Sequence, residues 1–182
     1  MIKQLLFLFT LSLSGLSYTQ VADDFSDGDF TNNPIWVGDI ADFIVNGTNQ
    51  LQLNAAAAGD SYLATAHNLT QLEDREWRFF LDFGLSPSGS NGGEIYLTAL
   101  NSDLSATPDG IYIQIGETGS DDPLRLFERD GGTETEILTS TLGIVSSPFE
   151  ISVKIIHRAN GDWELYTDLA GGSAFQLDVT AN

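Results

Sequence analysis

The chain has 182 residues, with 7 lysines and arginines against 26 aspartates and glutamates, which gives a net charge of −19 at pH 7. A surface of that sign repels phosphate backbones and anionic lipids, so the composition argues against nucleic-acid binding and membrane-surface binding. The absence of cysteine excludes disulfide bonds, thiol catalysis and cysteine-ligated zinc.

The first residues have the pattern of a secretory signal peptide. Lys3 is followed by an uncharged, mostly apolar run at residues 5–16, and Ser17 and Thr19 provide small side chains before a cleavage point at Gln20. The run is too short to span a bilayer, which takes about 20 residues. We therefore expect residues 1–19 to be removed, and residues 20–182 to form one domain that is not inserted in a membrane after cleavage.

Turn residues divide the first half of the mature chain into short extended segments. Asn33-Pro34 and Gly47 mark two of these turns, because Asn, Gly and Pro suit turn geometry and resist ladder pairing. The strands predicted here occupy residues 23–25, 35–37, 41–46, 50–55 and 61–67.

In the second half, apolar and polar residues alternate with the period of two that is typical of half-buried strands. Trp77 and Phe79 lie on one side of the first such segment, while Arg78 and Phe80 lie on the other. The strands predicted from this pattern occupy residues 76–83, 94–100, 110–117, 123–128, 134–139, 149–157, 163–167 and 174–179.

The hairpin at residues 149–167 has the clearest pattern, and its turn at Asn160-Gly161 allows two registers. A two-residue turn would pair Arg158 with Trp163, whereas a three-residue loop with Gly161 in the left-handed conformation would pair His157 with Trp163. We favour the three-residue loop, because the other register would move a whole apolar row from the core to solvent.

These thirteen short strands, with no helical stretch longer than one turn, predict an all-β domain. Their spacing is typical of two antiparallel sheets packed face to face as a β-sandwich.

Three stretches carry a resemblance to a known group of modules. They are Asp23-Asp24-Phe25-Ser26-Asp27-Gly28, Pro34-Ile35-Trp36, and the strand from Val153-Lys154 that continues into Asn160-Gly161-Asp162-Trp163-Glu164-Leu165. Together they resemble the N-terminal modules of large secreted or surface proteins of Gram-negative environmental bacteria, which are built on the concanavalin A-like lectin/glucanase jelly roll. The resemblance covers nearly all of residues 23–179.

The resemblance implies that the first and last strands lie side by side, and that such modules end in an aromatic strand with paired aspartates. This chain ends at Asp178-Val179-Thr180-Ala181-Asn182 instead. We therefore expect an N-terminal fragment that lacks its last strand, with an open position beside the strand at residues 23–25 and with downstream domains in the same longer protein.

The catalytic pattern of the glucanases on this fold is missing. Their strand carries acids at alternate positions, whereas Glu94 is followed at those positions by Tyr96 and Thr98. No Gly-x-Ser-x-Gly elbow accompanies the two histidines either. We expect that the chain is not an enzyme, and a glycoside hydrolase is the least favoured alternative.

Aromatic residues are the candidate ligand-binding groups, because exposed rings stack on sugar faces while nearby polar groups take the hydroxyls. Trp77 and Trp163 continue apolar rows and are expected in the core. The ring residues selected as candidates are Tyr96, Tyr112, Tyr166 and Trp36.

A second candidate site is the acidic cluster near the mature N-terminus. Its residues Asp23, Asp24, Asp27 and Asp29 could supply oxygen ligands to Ca²⁺, although their spacing does not match an EF-hand loop. Solvated turn carboxylates are the favoured interpretation, so no cofactor is expected unless this cluster binds Ca²⁺.

Together with this resemblance, the sequence favours a secreted or cell-surface, non-catalytic jelly-roll module of a Gram-negative bacterium, which binds glycans or other extracellular polymers or mediates adhesion. The alternative is a structural spacer domain without a ligand.

Overall fold

A computed structural model describes residues 21–119 and 121–182. The predicted signal peptide, residues 1–19, lies outside these ranges. Among the described residues, no helix is long and apolar enough to cross a membrane.

Strands and loops build the described chain, with two single 3₁₀ turns at Ile40–Asp42 and Leu104–Ala106 and no α-helix in these ranges. The prediction of an all-β fold is confirmed. The strands are β1 (Trp36–Gly38), β2 (Phe43–Val45), β3 (Leu51–Leu53), β4 (Leu63–Thr65), β5 (Arg75–Phe83), β6 (Gly93–Ala99), β7 (Gly110–Ile115), β8 (Leu124–Asp130), β9 (Thr133–Thr139), β10 (Phe149–His157), β11 (Trp163–Asp168) and β12 (Gln176–Ala181).

Two four-stranded antiparallel sheets form the body of the domain. One has the order β12-β11-β10-β5 and the other the order β6-β7-β8-β9, while β1 pairs with β4 and β2 with β3 in two small ribbons. β5 and β10 are neighbours in the first sheet, although the four strands between them in the chain form the second sheet. The chain therefore crosses from one sheet to the other after β5 and returns before β10.

The core lies between the two sheets. Ile113 and Leu126 come from the second sheet, Ile151 and Leu165 come from the first, and all four belong to one cluster of buried side chains. Ile113, Ile151 and Leu165 are buried, as their apolar rows predict. An antiparallel arrangement with a shared core is consistent with a β-sandwich.

The β10–β11 hairpin has the predicted register. His157 pairs with Trp163 and Ile155 pairs with Leu165, while Gly161 has a φ of +94°. The imidazole of His157 stacks on Trp163 with ring centroids 4.0 Å apart. The three-residue loop thus keeps Ile155 and Leu165 on the core side of the sheet.

The prediction of a strand at residues 23–25 is wrong. Asp23 accepts a hydrogen bond from the Phe25 amide at 2.9 Å, Phe25 has a φ of +52°, and the Gly28 amide donates to the Phe25 carbonyl at 3.0 Å. Carboxylate acceptors so close to the backbone favour turns over strand pairing. Because this segment is not a strand, there is no strand edge here at which a missing last strand would leave an open position. That the chain lacks its last strand therefore stays a prediction.

Candidate functional site

The outer side of the second sheet combines aromatic rings with charged groups. Core residues alternate along its strands with residues that point away from the core. We call this outer surface the arginine face, and it consists of Glu94, Tyr96, Tyr112, Gln114, Arg125, Phe127, Arg129, Glu134 and Glu136.

Three aromatic rings form a row across β6, β7 and β8. Tyr112 pairs with Tyr96 on one side and with Phe127 on the other. The ring centroids of Tyr96 and Tyr112 are 5.1 Å apart, and those of Tyr112 and Phe127 are 5.7 Å apart. These separations are typical of favourable aromatic pairs. The three rings therefore lie side by side across these strands.

Arg129 lies over two of these rings, those of Tyr96 and Tyr112. Its guanidinium carbon lies 4.5 Å from the centroid of the Tyr112 ring, and its Nη2 donates to the Tyr112 hydroxyl at 3.2 Å and to Glu134 Oε1 at 2.5 Å. The guanidinium also donates to the Tyr96 hydroxyl and forms a longer ion pair with Glu94 at 3.4 Å. With a side chain only 7% exposed, Arg129 keeps two tyrosines and two glutamates in one network.

The pKa values of this network reflect its burial and its charges. Burial raises the pKa of Tyr96 to about 12, and the neighbouring Glu94 acts in the same direction. Burial and the hydrogen bond to Glu134 raise the pKa of Tyr112. Hydrogen bonds from Arg129 and Tyr112 lower the pKa of Glu134. Burial would lower the pKa of Arg129, but Glu134 and the other partners outweigh it and raise that pKa. At neutral pH both tyrosines are therefore protonated, and Arg129 and Glu134 are charged.

A second ion-pair group lies beside the row. Arg125 donates to Glu117 at 2.8 Å and to Glu136 at 2.7 Å. Thr139 donates a hydrogen bond to Glu136 at 2.6 Å, and this bond, together with Arg125, lowers the pKa of Glu136. The charged groups that border the aromatic row thus have fixed positions.

The structure brings together two of the four predicted aromatic residues. Tyr96 and Tyr112 are neighbours on the arginine face, but Tyr112 is only 1% exposed, so the expectation of an accessible ring does not hold for it. Tyr96 and Phe127 remain half-buried and accessible from outside.

The other two candidates lie elsewhere. Tyr166 is on β11 in the first sheet, where its hydroxyl donates to Glu164 at 2.7 Å. Trp36 is on β1, and its Nε1 donates to Asp23 at 2.9 Å. Phe25 lies beside Trp36, with ring centroids 6.2 Å apart. The four residues therefore do not form one site.

Sequence reasoning did not select Arg129 and Phe127 as site residues, although a signal for both was present. Along β8, Leu124 and Leu126 point inward, so Arg125, Phe127 and Arg129 occupy the outward positions. Phe127 and Arg129 are two residues apart on the same strand, so the sequence already placed both on the outer side of the sheet.

The four aspartates proposed as calcium ligands act as acceptors within local turns. Asp23 accepts from Phe25, Asp24 from Ser26 and Asp27 from Asp29, while hydrogen bonds from Thr31 and Asn32 lower the pKa of Asp29 to about 2. In residues 21–119 and 121–182, no group of three or more acidic or histidine side chains could hold a metal ion. The structure thus does not bring the predicted ligands together.

A comparison of the chain with protein-family models, with curated proteins and with solved structures finds no match.

Proposed function

We propose that the chain is a secreted, non-catalytic module of the concanavalin A-like jelly-roll type, which binds carbohydrate or mediates adhesion as part of a larger cell-surface protein. Two antiparallel sheets with a shared core, and a chain that crosses between them on both sides of β6–β9, support the fold assignment.

The aromatic row of the arginine face is the observation that carries the binding proposal. The accessible edges of Tyr96 and Phe127 offer apolar area on which a sugar ring stacks. The amide of Gln114 can donate and accept hydrogen bonds, and the flanking glutamates can accept them from sugar hydroxyl groups. Arg129 orients the Tyr96 hydroxyl, so the binding surface is formed before the ligand arrives. Preorganisation of this kind reduces the entropic cost of binding.

The test is a glycan array on residues 20–182, followed by titration calorimetry with the best ligand. Phe127→Ala removes the accessible ring at one end of the row and should weaken binding at least about tenfold, which corresponds to about 1.4 kcal/mol. Leu169→Ala removes an exposed apolar side chain in the turn after β11 and should leave the affinity unchanged.

Circular dichroism of each variant separates loss of binding from loss of folding. A blank array on folded protein would contradict the binding proposal and favour a spacer domain. Equal affinities of Phe127→Ala and the wild type would exclude the arginine face as the binding surface.

A further inference from the structure

The outer side of the first sheet carries a different set of aromatic and cationic groups. We call the part around Lys154 the lysine face, and it consists of Arg78, Phe80, Lys154, Tyr166, Phe175 and Leu177. The acids Glu76 and Glu164 lie on the same side of the sheet, each two residues along its strand from Arg78 and Tyr166. Lys154 pairs with Arg78 on β5 and with Tyr166 on β11, and Tyr166 pairs with Leu177 on β12. The face therefore extends across all four strands of this sheet.

Lys154 lies at the centre of the face with aromatic neighbours. Its ammonium nitrogen is 4.1 Å from the centroid of the Tyr166 ring and 5.1 Å from that of Phe175. Within the described part of the chain, Lys154 forms no salt bridge with a carboxylate. In a chain with so many acidic residues, the absence of a carboxylate partner distinguishes Lys154 from Arg125, Arg129 and Arg158.

A second cation lies directly beside Lys154. Like charges at directly opposed positions of paired strands are destabilising, yet Arg78 faces Lys154 across β5 and β10. The only salt bridge of Arg78 in the described residues is with Glu76, and its side chain is 60% exposed. A surface pair of this kind contributes little stability, so it opens at little cost.

The two nearby acids of β11 have partners other than Lys154. Glu164 accepts hydrogen bonds from Arg158 and Tyr166. Asp168 accepts hydrogen bonds from the amides of Ala170 and Ala174 at 3.0 and 2.8 Å. Arg78 has Glu76 as its partner, so Lys154 is the cation of this face that no carboxylate neutralises in the described residues.

Apolar side chains border these two cations. Phe80 is 40% exposed and Leu177 is 55% exposed, while the rings of Tyr166 and Phe175 lie against Lys154. Apolar side chains that form a contiguous exposed patch next to polar residues mark binding surfaces more often than single exposed apolar side chains do.

We infer that the lysine face binds an acidic sugar residue, whose carboxylate contacts Lys154 and Arg78 and whose ring stacks on the neighbouring aromatic side chains. The lysine face would be a second binding site, separate from the arginine face. The inference rests on the proposed function only because it assumes that the chain binds carbohydrate. The net charge of −19 disfavours long polyanions, so the ligand is a single uronic acid unit within a neutral glycan.

The test uses two matched sugar pairs: methyl glucoside with methyl glucuronoside, and methyl galactoside with methyl galacturonoside. In each pair the two sugars differ by one carboxylate group. Titrations followed by amide NMR shifts should show at least fivefold tighter binding of one uronoside than of its neutral partner, with the shifts centred on β10 and β11. Lys154→Met keeps an unbranched apolar stem but removes the charge, and it should abolish this preference.

Arg158→Gln is the control, because it also removes one positive charge next to the first sheet, from the loop after β10, but one that Glu164 already neutralises. It should keep the preference for the uronoside. A preference that survives Lys154→Met, or one that Arg158→Gln abolishes equally, would overturn the assignment to Lys154.

The two proposals fail separately. Failure of every uronoside to shift the amides of β10 and β11, together with a positive glycan array, would overturn the acidic-sugar site alone. A uronoside preference that depends on Lys154, together with unchanged glycan binding in Phe127→Ala, would overturn the role of the arginine face alone.

Discussion

The arginine face and the lysine face both place cations over aromatic rings, but they differ in the position of the opposing charges. Arg129 donates to Glu134 and lies close to Glu94, and its side chain is 7% exposed. Lys154 lies over the rings of Tyr166 and Phe175 and forms no salt bridge among the described residues. The first cation is therefore part of the structure of its sheet, whereas the second remains available to an anion from outside.

The largest difference between the faces should be in stability. Arg129→Met removes the guanidinium that contacts two tyrosines and two glutamates, Tyr96, Tyr112, Glu94 and Glu134. Because these groups lose a buried charged partner, we expect the free energy of unfolding to fall by about 2 to 4 kcal/mol. Urea denaturation measures this loss. Arg158→Met, which breaks a more exposed pair with Glu164, should cost much less, because solvent screens a surface ion pair. Equal losses in the two variants would show that burial of Arg129 has no special role.

The acid stability of the arginine face should depend on Glu134. Because Arg129 and Tyr112 lower the pKa of Glu134 in the folded state, the unfolded state binds the proton more readily. The ionised Glu134 carboxylate therefore makes its full contribution to the free energy of unfolding above the unfolded pKa of about 4.3. That contribution is lost as the pH falls through the lower pKa of the folded state. The melting temperature of Glu134→Gln should therefore lie below that of the wild type at pH 7 and approach it near pH 3. A difference that stays constant over this range would contradict the ionic contribution.

The sequence predicted those parts of the fold in which one local rule was sufficient. The alternation in β5 placed Trp77 inward and Phe80 outward, and the burial of the strand follows this pattern. The choice between two hairpin registers was also correct, because only one kept the apolar row of β10 on the core side. In both places neighbouring residues of the chain contained the information.

The sequence did not predict features that depend on competition or on distant contacts. The strand expected at residues 23–25 is a turn, because the carboxylate of Asp23 takes the backbone amide of Phe25. The outward direction of Tyr112 follows from its neighbours Ile111 and Ile113, but its burial depends on Arg129, which is distant in sequence and reaches it only after β7 and β8 pair. No local pattern contains that contact.

The smallest expected effect is on the stability of the lysine face, and it tests the contrast most directly. Lys154→Met removes the repulsion between Lys154 and Arg78, which raises the stability of the folded state. It also removes the attraction of the ammonium group to the rings of Tyr166 and Phe175, which lowers that stability by about 0.5 to 1 kcal/mol. The apolar stem of methionine keeps the packing on the sheet, so the net change in the free energy of unfolding should be below about 0.5 kcal/mol. Salt screens the repulsion in the wild type, so urea denaturation at increasing NaCl should shift this difference in favour of the wild type. A loss above about 2 kcal/mol, as large as the loss expected for Arg129, would mean that Lys154 is also a structural cation, and the distinction between the two faces would no longer hold.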